Sequence, residues 1–417
     1  MAVRCERYIA ISVNASDNSL SMPQARRASL LLAAAAAIGG SVGPITIGTG
    51  GLVGLALLPP EQAGLATLPI SAYVLGSAIA SAPAALSMRR LGRRVGFMTG
   101  AGIGAGGALL AASAINAGAF RLFVCTMVLL GAASAFAQQY RFAAADASAP
   151  SFKARAISWV MLGGVFTGVL GPQVAIHARG LTPNAPFAGP FYVLAGLFVI
   201  AVILLSQLVV PAPVPLDARV GHGRPAWTVL TQPRFFIALL VSVASFAPMT
   251  LVMTATPLAM IAHHHTQSNA QFAIQWHVIA MYAPSFFTGR LINRFGQSAI
   301  AAVGMLLIAA AATLALSGTG LLRFWSALIL LGMGWNFGFI AATTMVANLY
   351  RPEEAFRVQA LNELILFSIV AAASFCSGGV LASSGWNAIN LLVYLIIAIG
   401  ITLVAAHARL ERRSAVA

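Results

Sequence analysis

The sequence predicts an all-α membrane protein in which twelve transmembrane helices form two six-helix pseudo-symmetric bundles. Three observations predict it. Of 417 residues, 59% are apolar and 8% charged, and the mean hydropathy of +0.88 lies outside the range of soluble domains of this length. Apolar runs of about 20 residues, enough to cross a bilayer, fall at approximately 29 to 57, 64 to 88, 96 to 117, 121 to 145, 156 to 178, 188 to 210, 234 to 257, 271 to 290, 297 to 317, 322 to 347, 358 to 382 and 386 to 407. Finally, the basic turn ALSMRRLGRR (Ala85 to Arg94) is echoed by GRLINRFGQ (Gly289 to Gln297), with Gly92 and Gly296 separated by 204 positions, about half the chain. A repeat of helix, basic turn and helix is the mark of a duplicated membrane bundle.

Residues 1–28 and 408–417 then read as tails, 29–210 and 234–407 as the bundles, and 211–233, rich in proline, glycine and charge, as a linker. The formal charge of +15 would point to nucleic acid in a soluble protein, but its placement excludes that reading. With the N-terminus inside, twenty basic residues fall on the cytoplasmic side and three, Arg121, Arg179 and Arg323, fall outside. That asymmetry predicts a multi-pass protein with both termini in the cytoplasm, the expected location being an inner (cytoplasmic) membrane. Cys5, Cys125 and Cys376 are too few and too scattered for a disulfide framework or a metal cluster. The first 27 residues lack the apolar core of a signal peptide, and Met22 is an alternative start to Met1.

Taken in order, the first run is glycine-rich (Gly39, Gly40, Gly43, Gly48, Gly50, Gly51, Gly54), which suits either a flexing, cavity-lining helix or close packing. In the second, Tyr73 reads as an interfacial anchor or a ligand contact. The third shows only alanine and glycine packing. Within the fourth, AFAQQYRFAAAD sets Gln138, Gln139, Tyr140 and Arg141 in an apolar helix, with Arg141 five residues and about 7 to 8 Å before Asp146. An arginine at that depth contacts substrate or gate, or else snorkels. Gly163, Gly164, Gly168 and Gly171 of the fifth predict a close helix crossing.

In the second half, Pro248 and Pro257 interrupt the seventh run, and His263, His264 and His265 read as an exposed loop. The eighth carries Gln275, Trp276 and His277; His277 is either a satisfied structural donor or a proton-linked or substrate-binding group. The tenth holds Trp335 and Asn336 at the half-repeat position of the fourth run's polar cluster. In the eleventh, Glu363 is the one carboxylate clearly inside the hydrocarbon and a candidate for proton coupling.

The two basic turns also resemble the loops between helices 2 and 3, and 8 and 9, of the major facilitator superfamily. Arg90, Leu91, Gly92, Arg93 and Arg94 fit the end of that pattern, as do Gly289, Leu291, Arg294 and Gly296 in the second copy. Ala85 stands where the family has glycine and Arg89 where it has aspartate. The resemblance implies alternating access through a mid-membrane site between the halves, and an inner gate in which Asp146 pairs with Arg90 or Arg93. It also gives Glu363 a second reading, as the anion that answers Arg89. Gly171 and Pro172 loosely resemble the helix 5 motif of proton-driven exporters. The phrases QQYRFAAAD and QWHVIAMYAPSFFTGRLI are similar to a proteobacterial branch in which riboflavin uptake is one known activity.

The expected function is secondary transport of a small organic solute, with riboflavin uptake first and proton-driven drug or metabolite efflux second. The expected binding set is Gln138, Gln139, Tyr140, Arg141, Gln275, Trp276, His277, Trp335 and Asn336: amides and rings with few charges, suited to a neutral or weakly anionic, partly aromatic molecule. Arg89, Arg90, Arg93, Asp146, Arg294 and Glu363 are the expected gate or coupling residues. The partners expected are the small-molecule substrate and the lipid bilayer, with no nucleic acid, no cofactor and no metal, and with the chain acting as a monomer. No GxxxxGK loop points to ATP, and no paired acids or serine and histidine set points to an enzyme.

Overall fold

The computed structural model describes residues 20–210, 226–351 and 354–416. Most of the N-terminal tail and of the 211–233 linker therefore lies outside the described residues. The elements are α1 (Met22–Gly40), α2 (Val42–Leu57), a 3-10 helix (Pro60–Leu65), α3 (Leu68–Leu91), α4 (Arg93–Asn116), α5 (Phe120–Ala137), α6 (Tyr140–Asp146) and α7 (Pro150–His177). They continue with a second 3-10 helix (Ala178–Leu181), α8 (Gly189–Ser206), α9 (Ala226–Leu230), α10 (Pro233–Ala262), α11 (Gln267–Tyr282), α12 (Ser285–Phe295), α13 (Gln297–Leu316), α14 (Leu321–Ala347) and α15 (Ala355–Val416). Among the described residues, ten helical stretches are long and apolar enough to cross a membrane.

Several apolar runs break, but the seventh, which Pro248 and Pro257 are expected to interrupt, does not: both prolines lie inside the continuous helix α10, whose buried flanks against neighbouring helices hold it through them. The first parts into α1 and α2 at Ser41, after Gly39 and Gly40. The fourth parts at Gln138 and Gln139, and the eighth at Ala283 and Pro284, where proline removes a backbone donor. The last two runs are instead joined through one non-helical residue, Gly385. The outer faces carry exposed Leu30, Ile79, Ile203, Leu306 and Leu395, a distribution that a lipid solvent favours and water does not.

Gly92 and Gly296 give the clearest sign of duplication. Each ends one helix and starts the next, at φ 83°, ψ 155° and φ 85°, ψ 154°. This is a backbone region open essentially to glycine alone, so the two turns are the same local structure reached twice. In the second copy, α12 buries Thr288 and Ile292, one turn apart, and exposes Arg290 and Arg294.

Buried apolar side chains fall into two large cores, one drawn from residues between Ala25 and Leu208 and one from residues between Val229 and Val404. A small third cluster, Leu52, Ala66 and Leu258, takes members from both sides of the linker. That cluster lies toward the end of the molecule holding the two 3-10 helices, here the loop end; Gly92 and Gly296 mark the opposite, turn end. Near the loop end, Thr67 Oγ1 donates to the Phe375 carbonyl at 3.3 Å and Gln173 Nε2 donates to Gln275 Oε1 at 2.8 Å, so α3 meets α15 and α7 meets α11. The approach of the first 3-10 helix to α15 is close: a Cβ on Gly378 would stand 2.7 Å from the Gly64 carbonyl.

At the turn end, bonds knit each half to itself. Arg93 pairs with Asp146 at 2.5 Å and donates to the Phe142 carbonyl at 3.1 Å. In the second half, Gln297 follows its glycine as Arg93 follows Gly92. It accepts from Asn348 at 3.2 Å and donates to Glu411 at 2.5 Å.

Candidate substrate site between the halves

The break after α5 distributes the fourth run's polar residues in different directions. Gln138 Nε2 donates to Ser77 Oγ of α3 at 3.1 Å, and Gln139 is half-buried at the break. Tyr140 does not reach the space between the halves. Its ring packs edge-on against Phe97 of α4, with centroids 4.8 Å apart, inside the first core. Arg141, the next residue, is exposed and lies over the Phe142 ring at 4.8 Å. One residue of register thus separates a core aromatic from an exposed guanidinium.

The second half separates its residues in the same way. Asn336 is fully buried and holds α14 to the broken eighth run. It donates to the Met281 carbonyl and to Ser285 Oγ, both at 2.6 Å, and accepts from Thr288 at 2.6 Å. Carbonyls freed by a proline break need such donors inside a bilayer. His277 is buried with Nδ1 2.7 Å from the Leu328 carbonyl, within the same half, and Trp276 is exposed on the flank of α11. These three side chains serve the second half's own packing and surface.

What the structure does bring together is a smaller set. The charge of Arg141 reaches both Glu363 on α15 and the Tyr282 phenol at the end of α11, across from the first half. No direct ion pair joins Arg141 to Glu363. The Tyr282 ring lies against Gly164 of α7, 3.2 Å from where a Cβ there would stand, and the Tyr73 hydroxyl on α3 donates to Ser134 Oγ at 3.1 Å. One turn beyond Glu363 on α15, Phe367 begins an aromatic cluster: Phe246 of α10 meets Phe367, Trp335 and Phe339 edge-on at 5.5, 5.3 and 5.2 Å. Trp335 and Phe339 stack at 5.0 Å with 14° between their planes. Phe246, Phe339 and Phe367 are half-exposed, whereas Trp335 is buried and its indole Nε1 finds no hydrogen-bond partner.

Phenols, one cation, one carboxyl and a bank of rings equip this region to hold a flat aromatic molecule by stacking and by a few hydrogen bonds. Phe246, Phe339 and Phe367 were not singled out from the sequence. Their only signal there is phenylalanine in a phenylalanine-rich chain. Of the expected gate residues, Arg90 and Arg294 are exposed at the turn end, Arg294 over the Phe295 ring at 5.2 Å, and Arg93 and Asp146 form the ion pair already described. The side chain of Arg89 lies outside the described residues. Two hollows lie away from this region: about 320 Å³ beside Glu61, Gln62 and Cys376 at the loop end, and about 330 Å³ among Arg234, Gln297, His407 and Glu411 at the turn end.

A helical membrane protein with two separately packed cores and a polar, aromatic-lined region between them is a solute transporter by build. The chain belongs to the Major Facilitator Superfamily, whose family model matches residues 28–374. It is 47% identical over 377 residues to the riboflavin transporter RfnT of Brucella anthropi, covering 90% of this chain and 94% of that one. It is 30% identical to the uncharacterized transporter YddS of Bacillus subtilis, covering 83% of each chain. Among solved structures it resembles a bacterial homolog of the human lysosomal transporter Spinster in an inward-facing, unoccupied conformation. That match has a TM-score of 0.72 at 14% identity and covers 94% of this chain and 98% of the other, a likeness of fold alone.

Proposed function

We propose that this chain is a secondary transporter that takes up riboflavin, or a flavin of the same shape, across the bacterial inner membrane by alternating access. The observation that carries the substrate is the 47% identity to a riboflavin transporter along nine-tenths of the chain. The region between the halves supports it: an isoalloxazine ring needs stacking faces and a few polar partners, which Phe246, Phe339, Phe367, Tyr73, Tyr282 and Arg141 supply.

In this reading the ten candidate spans resolve into twelve crossings. The broken α11 and α12 together make one, and α15 makes two across Gly385. Residues 29–210 and 234–407 are the two bundles, 211–233 is the linker, and both termini are cytoplasmic, as the basic-residue asymmetry favours. The turn end is then cytoplasmic. The cross-half bonds at the loop end, with Arg141 exposed, correspond to a state closed outside. Arg141, Glu363 and the Arg93–Asp146 pair are the proposed elements of the inner gate, and Trp335 backs the proposed ring site. Growth rescue tests the proposal: expression in a riboflavin auxotroph should restore growth at low vitamin, whereas raised drug tolerance without rescue would mean export.

A further inference from the structure

Three glutamines, Gln267, Gln271 and Gln275, recur every fourth residue on α11 and so share one face, spanning about 12 Å of helix. That face meets the first half. Gln275 Oε1 accepts from Gln173 of α7 at 2.8 Å, and Gln173 Oε1 lies 3.1 Å from His177 Nε2. Gln271 sits squarely on Gly48 of α2: a Cβ there would meet the amide carbon at 2.7 Å. Gln271 is 0% exposed, yet neither its Oε1 nor its Nε2 has a hydrogen-bond partner, and Gln267 Nε2, on a side chain 8% exposed, has none either.

Buried amides normally find partners. An amide left without one where the two halves meet is available to a solute that enters the seam when the halves part. The stripe is uncharged, donates and accepts at each step, and is linear, so its complement is an uncharged chain of hydroxyls, not a ring or an ion. We infer that Gln271, flanked by Gln267 and Gln275, is a specificity-determining residue that contacts the polyol chain of the incoming solute at the loop end.

This assignment rests on the flavin reading above. Its test compares two solutes with the same ring: riboflavin, which carries a ribityl chain, and lumiflavin, which carries a methyl group in its place. In proteoliposomes, each is measured as initial uptake and as a competitor of the other, for the wild-type chain, Gln271→Leu and Gln271→Asn. Gln271→Leu should raise the riboflavin KM about ten-fold, the loss of one to two hydrogen bonds, and leave lumiflavin inhibition unchanged. Gln271→Asn should fall between. Equal effects on both solutes, or no effect on either, would overturn the assignment and leave the flavin reading intact. A wild-type chain that takes up neither flavin would remove both.

Discussion

Arg141 and Glu363 belong to different halves of the molecule, and each lies in the other's field without touching it. In the proposed cycle, closure of the turn end brings these two charges together. Neutralising Glu363 with Glu363→Gln, or Arg141 with Arg141→Ala, should each cut the uptake rate about ten-fold or more. The pair Arg141→Glu with Glu363→Arg should recover part of it, with a coupling of about 0.5–3 kcal/mol in a double-mutant cycle. Uptake rates for the four proteins check this. Strictly additive losses would show that the two charges act apart.

The Arg93–Asp146 pair makes a contrasting case. At 2.5 Å it is short, but its side chains are 31% and 57% exposed, so screening leaves it about 1 kcal/mol or less of stability. Asp146→Asn should therefore barely change thermal stability in detergent while slowing transport several-fold. A large drop in melting temperature with normal transport would make the pair a staple instead of a gate element.

Gly92 and Gly296 hold matching backbone angles that side chains strain to adopt. Gly92→Ala and Gly296→Ala should each cost about 1–3 kcal/mol. Since nothing stands within 4 Å of either added methyl, the cost is conformational. Size-exclusion profiles of the two variants should show similar losses of folded protein, as befits one turn used twice.

Asn336 satisfies two donors' worth of acceptors and one hydroxyl around the Pro284 break. Replacing it with leucine should destabilise the protein by about 1–3 kcal/mol by leaving buried groups unpaired. The surviving protein should show an unchanged riboflavin KM. A raised KM at normal stability would return Asn336 to the substrate.

These residues also show how far the sequence could be read. Hydropathy located the long apolar helices among the described residues, because a bilayer demands about 20 apolar residues per crossing, but not the break that divides the eighth run; Gly92 and Gly296 disclosed the matching turns. Helix faces were another matter. A membrane helix is apolar all round, so no amphipathic stripe distinguishes a side that meets lipid from one that meets the partner half. Tyr140 and Arg141 are adjacent and point to a core and to a gap; Trp276 and His277 are adjacent and point outward and inward. The positions of Gln138 and Gln139 at a helix break and of Asn336 at a proline break depend on tertiary partners such as Ser77 and Ser285. The glutamine stripe did carry a readable sign, the four-residue spacing of Gln267, Gln271 and Gln275.

Passage of a flavin across the membrane through this protein is the event on which its proposed function depends. Purified chain in proteoliposomes, given labelled riboflavin, should show saturable accumulation inside, inhibited by unlabelled riboflavin and reduced about ten-fold or more by Glu363→Gln. Riboflavin that binds the protein but does not enter the lumen would contradict it.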